Sequence, residues 1–175
     1  VKVTRDLVLW MQSRPQPPRV FVSASAVGFY GDRGEEELTE ASPAGVGFTS
    51  TLCQKWESAA KDGKPEETRL CSLRIGLVLG KGGGVWKPFS LYSRLGLGST
   101  LGSGRQWMPW VHLDDVVGII QECISNNAVS GPINAVAPGI ERQKSFVRFL
   151  ANSFNRPLWL RMPSTLLRSL PGGME

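Results

Sequence analysis

The chain has one histidine and three cysteines in 175 residues, and each scarcity closes off a chemistry. His112 alone cannot build a Cys/His metal cage. Cys53, Cys71 and Cys123 are too widely spaced, and odd in number, for a disulfide framework. Such thiols favour a reducing intracellular compartment, either a bacterial cytoplasm or a eukaryotic organelle such as a mitochondrion or plastid. No stretch approaches the roughly 18 consecutive apolar residues that span a bilayer. The opening VKVTRDLVLWMQ has charges inside an amphipathic helical pattern, which is not the pattern of a signal peptide. There is no Lys/Arg run of five or more, no zinc-finger or RNA-recognition signature, no repeat and no low-complexity tract. The formal charge of +5 therefore attracts acidic partners such as nucleotides, while its scattered carriers argue against a dedicated nucleic-acid binder. The start at Val1, without Met, is expected to follow further sequence upstream.

With 41% hydrophobic and 20% charged positions, the chain is long enough for one core, either one domain or a large piece of one. Leu7, Val8, Trp10 and Met11 recur at helical spacing over residues 4–14, and Pro15, Pro17 and Pro18 end that helix. Arg19 to Ser23 is a β-branched and aromatic run without polar alternation, the pattern of a strand buried on both faces of a parallel sheet. A loop rich in Gly, Pro and acidic residues (32–47) leads to a helix over 49–61. Another buried strand is expected over 70–79, then a flexible loop, Gly80 to Gly84. Beyond it the pattern predicts a short helix over 88–96, a Gly-rich loop over 96–104 and a helix over 111–125 capped by Asp114 or Asp115. A strand over 132–137, a helix over 145–154 and an extended WLRMP segment complete the chain. The alternation is that of an α/β fold with a parallel sheet.

The segment Val22 to Asp32, VSASAVGFYGD, is a buried strand ending in two hydroxyls, Ser23 and Ser25, and a small-residue turn carrying Tyr30. Open α/β sheets bind ligands at the carboxyl ends of their strands, so these hydroxyls stand where chemistry is usually found. Tight packing of small residues at a strand end is the competing explanation. Cys53 reads as a core thiol. His112 reads as support for the helix start that follows it, and Trp107 and Trp110 flank Pro109 as pocket lining or as a seal.

VSASAVGFYGD resembles the strand and active-site serine of extended short-chain dehydrogenases and nucleotide-sugar epimerases. LRIGLVLG, GSGRQWMPWVHLDDV and GPINAVAP resemble later segments of that family in order and spacing. FTSTLCQKWE, RLGLGST and GSGRQWMPWVH are similar to the epimerase-like subfamily associated with cell-division inhibition. The resemblance implies the C-terminal half of a Rossmann-like, doubly wound parallel sheet with a small mixed α+β substrate-side lobe. It divides the chain into residues 1–87, the second half of an NAD(P)-binding domain, and 88–175, the substrate-side lobe.

Two features of that family are missing. The Gly-rich turn that seats a dinucleotide pyrophosphate is absent, since KGGGVWKP lacks the G-x-G-x-x-G spacing and Pro88 is expected to break the helix it would need. The Tyr-x-x-x-Lys pair, in which an ammonium eases ionisation of a phenol, is absent too: Phe48 or Thr49 stands at the Tyr position and Leu52 or Cys53 at the Lys position. The implied roles are therefore Ser25 and Tyr30 as catalytic residues. Ser23, Arg74, Ile75, Gly76 and Val78 would lie along NADP or NAD, and Arg105 and Trp107 along a sugar-nucleotide substrate. Arg74, inside a buried strand, requires a phosphate or a carboxylate as partner. Two functions remain open: an atypical NAD(P)-binding epimerase or oxidoreductase acting on a small molecule, and a non-catalytic relative serving as a subunit among other proteins.

Overall fold

A computed structural model describes residues 1–81, 83, 86–158 and 160–162, the last three by backbone alone. In chain order the elements are α1 (Lys2–Gln12), β1 (Val20–Ala26), a 3₁₀ turn (Val27–Tyr30), α2 (Phe48–Lys61), β2 (Arg69–Ile75), β3 (Leu77–Leu79), α3 (Trp86–Arg94), β4 (Ser99–Leu101), β5 (Trp107–Met108), β6 (Trp110–His112), α4 (Leu113–Ser125), β7 (Gly131–Ala135), β8 (Glu141–Arg142), α5 (Gln143–Ser153) and β9 (Leu160–Met162).

The chain divides into two compact units, Val1–Gly76 with Asp114–Ala135, and Leu77–Leu113 with Val136–Glu175. The division falls between Gly76 and Leu77, ahead of the expected 87/88 boundary. It splits the expected strand over 70–79 into β2 and β3. The Gly76 N–H donates to Ala135 O at 3.1 Å, and the Leu77 N–H donates to Pro109 O at 2.7 Å. Successive residues thus belong to different sheets, a switch the continuous apolar pattern of the sequence conceals.

In the first unit, β1, β2 and β7 form a parallel sheet in the order β1-β2-β7. One face carries Cys71 and Leu73 of β2 against Cys123, Ile119 and Ile120 of α4. The other face packs on α2, with α1 against α2. Helices on both faces of a parallel sheet make this the expected doubly wound α/β arrangement. α1 buries only Val8 and Met11 of its four expected apolar positions, leaving Trp10 about half exposed. β1 runs three residues past its expected end, because the small residues Ser23 to Ala26 continue the ladder with Ser72 to Ile75.

The second unit builds its core from Leu79, Phe146, Val147 and Leu150, with Phe89 and Trp110 packed alongside. Its strands pair two by two: β3 with β6 and β4 with β9 in parallel, β5 with β8 antiparallel. Three local expectations change here. The helix expected over 88–96 begins at Trp86 and includes Pro88 in its first turn, where a missing N–H costs no intrahelical bond. The Gly-rich segment 96–104 contains β4. Val111 and His112 belong to β6, so Asp114 and Asp115 sit inside the first turn of α4, where their charges face the positive helix end without being its cap. Of the WLRMP segment, Leu160–Met162 forms β9, and Trp159 and Pro163 lie outside the described residues, as do Gly82 and Gly84 of the loop after β3.

Candidate functional site

Parallel register places Ser25, Arg74 and Asn134 in one row across the three strands. Residues of one row project to the same face of a sheet, and here that face is the one covered by α2. Glu57 descends from α2 onto this row. The Arg74 guanidinium grips it through two N–H donors, Nε to Oε1 and Nη2 to Oε2, each at 2.9 Å. The Ser25 hydroxyl donates to the same Oε1 at 2.8 Å. Arg74 is 4% exposed, so its partner is the carboxylate alternative left open by the sequence.

The 3₁₀ turn after β1 folds two aromatic rings over this pair. The Arg74 guanidinium carbon lies 3.5 Å from the Phe29 ring centroid and 5.0 Å from that of Tyr30. Arg74 Nη1 donates to the Tyr30 hydroxyl at 2.9 Å, and that hydroxyl donates to Asn134 Oδ1 at 2.6 Å. Burial alone would lower the Arg74 pKa, but the hydrogen bonds and charge of Glu57, with those of Tyr30, outweigh it and the pKa is raised. The acidic loop between the turn and α2 closes the network. The Glu40 carbonyl accepts from Arg74 Nη1 at 3.3 Å, and the Glu40 carboxylate accepts from the Asn134 N–H at 2.8 Å. Ser50 pins that loop, its one hydroxyl proton shared between Phe29 O at 2.8 Å and Gly45 O at 2.9 Å. A groove of about 670 Å³ runs along this face, with Phe29, Glu57, Ser72 and Arg74 in its lining.

Ser25, Tyr30 and Arg74 are therefore brought together, and both hydroxyls already hold protein partners. Ser23 lies two rows back on the same face, opposite Ser72. Ile75 projects to the other face, against the Cys71 and Leu73 cluster, and Gly76 offers bare backbone at the end of β2. Val78, Arg105 and Trp107 belong to the second unit. There Arg105 is exposed, and the Trp107 ring carries the Arg142 guanidinium at 3.5 Å. Sequence reasoning missed Glu57, Asn134, Glu40 and Arg142. Glu57 and Asn134 do lie within FTSTLCQKWE and GPINAVAP, and the demand of a buried arginine for a carboxylate was the signal pointing to one of them.

Of the residues at the family's Tyr and Lys positions, Phe48 or Thr49 and Leu52 or Cys53, Thr49 and Cys53 lie against the turn. A Cβ on Gly28 would stand 3.3 Å from Thr49 Cβ and 3.9 Å from Cys53 Sγ, so the turn and α2 meet closely at this point. Phe48 is 79% exposed and Cys53 is buried, as expected for a core thiol. On the opposite face of the sheet, burial and hydrogen bonding to Cys71 push the Cys123 thiol up to about 11. Among the described residues there is no group of three or more His, Cys, Asp or Glu side chains that could hold a metal ion, and no helix is long and apolar enough to cross a membrane.

A parallel sheet wound on both faces, with a polar row at its carboxyl edge, defines a Rossmann-like α/β protein. Residues 1–135 match the NAD dependent epimerase/dehydratase family, and the chain belongs to that family. It is 36% identical over 98% of its length to the chloroplastic homolog of epimerase family protein SDR39U1 from Arabidopsis thaliana, and covers 50% of that protein. To the human SDR39U1 protein it is 35% identical, over 98% of this chain and 59% of the relative. The crystal structure of human SDR39U1 (isoform 2) with NADPH superposes on 96% of this chain and 57% of that one, with a TM-score of 0.91 and 34% identity. A nucleoside-diphosphate sugar epimerase from Corynebacterium glutamicum shares 32% identity at a TM-score of 0.77, over 93% of this chain and 36% of its own. The chain thus spans between half and three fifths of the curated relatives named here.

Proposed function

We propose that this chain is the substrate-side half of an atypical NAD(P)(H)-binding epimerase or oxidoreductase acting on a sugar nucleotide or a related small molecule. The observation that carries the reading is the row Ser25, Arg74 and Asn134 at the carboxyl end of the parallel sheet, where open α/β sheets take their ligands. A human relative crystallised with NADPH and a nucleoside-diphosphate sugar epimerase, both more than 30% identical to this chain, support it. The residues present suit the nicotinamide end of a dinucleotide: Gly76, just past the end of β2, has no side chain to block a close approach, and Ser25 stands close by in the adjoining strand. The cofactor, when bound, supplies hydride chemistry. Ile75, Gly76 and Val78 would pass it by backbone, with Ser23 and Arg74 bordering its site. Ser25 would meet a substrate carbonyl or hydroxyl with Tyr30 assisting, and Arg105 and Trp107 would hold the substrate's phosphate and ring.

One observation favours a second reading, a non-catalytic subunit that keeps the fold among other proteins. Phe48 or Thr49 stands in place of the family's phenol and Leu52 or Cys53 in place of its ammonium, and Tyr30 is buried with its hydroxyl engaged as both donor and acceptor. Titrating NADPH and NADH calorimetrically into the natural full-length protein tests the proposal. Saturable one-to-one binding of one of them is expected, and absence of binding heat for both refutes it. With binding in hand, Ser25→Ala should lower turnover and leave cofactor affinity near wild type, whereas unchanged turnover removes Ser25 from the chemistry.

A further inference from the structure

The Arg105 segment of the second unit, which follows the Gly-rich stretch 96–104, is fastened at three successive carbonyls. Gly104 O accepts from the Lys144 N–H at 3.0 Å, and Gln106 O accepts from the Gln143 N–H at 2.9 Å. Between them, the Arg105 carbonyl accepts from the guanidinium of Arg142. That guanidinium also lies over the Trp107 ring, 3.5 Å from its centroid, and the two residues oppose each other across the β5–β8 pair. Gln143, 1% exposed, ties the start of α5 to β4: its Oε1 accepts from the Leu101 N–H and its Nε2 donates to Ser99 O, each at 3.2 Å. At Gly104, φ is +69° and a Cβ would stand 2.4 Å from Thr100 Cγ2, so only glycine lets the loop pass this close.

We propose that Arg142 is a positioning and specificity-determining residue for a nucleoside diphosphate group bound by the Arg105 loop, an inference that rests on the sugar-nucleotide reading above. One side chain contacts both residues, the Arg105 backbone through its carbonyl and Trp107 through its ring. Arg105 is exposed and Trp107 is 43% exposed, two positions apart in the chain, so a guanidinium and an indole are both open to a ligand. Guanidinium forks suit phosphate oxygens and indole faces suit planar bases. A loop clamped in advance loses less entropy when it binds. Lysine at position 142 would keep the charge but lose the planar stack and the fixed fork.

UDP is the probe, titrated calorimetrically into the natural full-length protein and into Arg142→Lys and Arg142→Ala, with NADPH titrated in parallel. Both variants should bind UDP at least about tenfold more weakly, a shift of roughly 1.4 kcal/mol, while NADPH affinity and thermal midpoint stay near wild type. Wild-type UDP affinity in Arg142→Lys would overturn the stacking role, and an equal loss of UDP and NADPH binding would reduce Arg142 to a structural residue. A wild-type protein that takes NADPH but no UDP overturns the sugar-nucleotide reading along with this one; variants matching wild type overturn only the role of Arg142. If Arg142→Ala does not fold, Trp107→Leu removes the ring from the same pair and should show the same selective loss of UDP affinity.

Discussion

Glu57 is the residue on which the polar row depends, because among the described residues it is the carboxylate paired with the charge of Arg74. Removing one partner of a buried ion pair costs about 3–5 kcal/mol, as the other charge is left in a poor environment. Glu57→Gln should therefore lower unfolding free energy by that order in urea titration, while Glu66→Gln, an exposed change, should stay within about 0.5 kcal/mol. A loss for Glu57→Gln no larger than that of Glu66→Gln would deny the pair its role. At Cys123 the thiol titrates near 11 in the fold against 9.0 when unperturbed. The folded pKa is raised, so the contribution is whole below pH 9 and is lost as pH climbs from 9 towards 11. The thermal midpoint should fall across that window, and Cys123→Val should flatten the fall. The sequence disclosed Ser25, Tyr30 and Arg74 because strand, turn and buried charge are local patterns. Glu57 and Asn134 needed register: nothing local says that position 57 of a helix and position 134 of a later strand meet position 74.

At the scale of elements, the loop before α2 is held by close backbone contact. A Cβ at Gly45 would stand 2.0 Å from Tyr30 O and 2.9 Å from the Gly31 nitrogen, and backbone cannot give way as a flexible side chain does. Gly45→Ala should push the loop off the 3₁₀ turn, disturb the Tyr30 to Asn134 bond and destabilise the fold by about 1–3 kcal/mol. Wild-type stability in chemical denaturation would show that the turn is not built on this contact. Helix positions were legible to within two residues at α1, α2 and α5, because helical periodicity is a local signal. The continuous strand over 70–79 misread a chain that changes sheets at Gly76, and the helix over 111–125 absorbed β6. In both places apolar residues follow one another without interruption, and only the pairing partners, Trp110 to His112 for β3, separate the elements.

For the whole molecule, family membership was legible from several motifs in their right order, and the doubly wound parallel sheet follows that expectation. Each of the two units is assembled from two separate stretches, so no single cut along the chain separates them. The first unit holds the polar row at its sheet edge, and the second holds a clamped guanidinium beside an indole. The first arrangement belongs to the proposed cofactor and substrate site, and the second to the proposed nucleoside diphosphate site. The most direct measurement is the thermal midpoint of the natural full-length protein as NADPH is raised well past saturation. A ligand at a hundred times its dissociation constant adds about 2.7 kcal/mol to the folded state, so the midpoint should rise and keep rising with concentration; a midpoint that stays flat with NADPH and with NADH would contradict a cofactor-binding role.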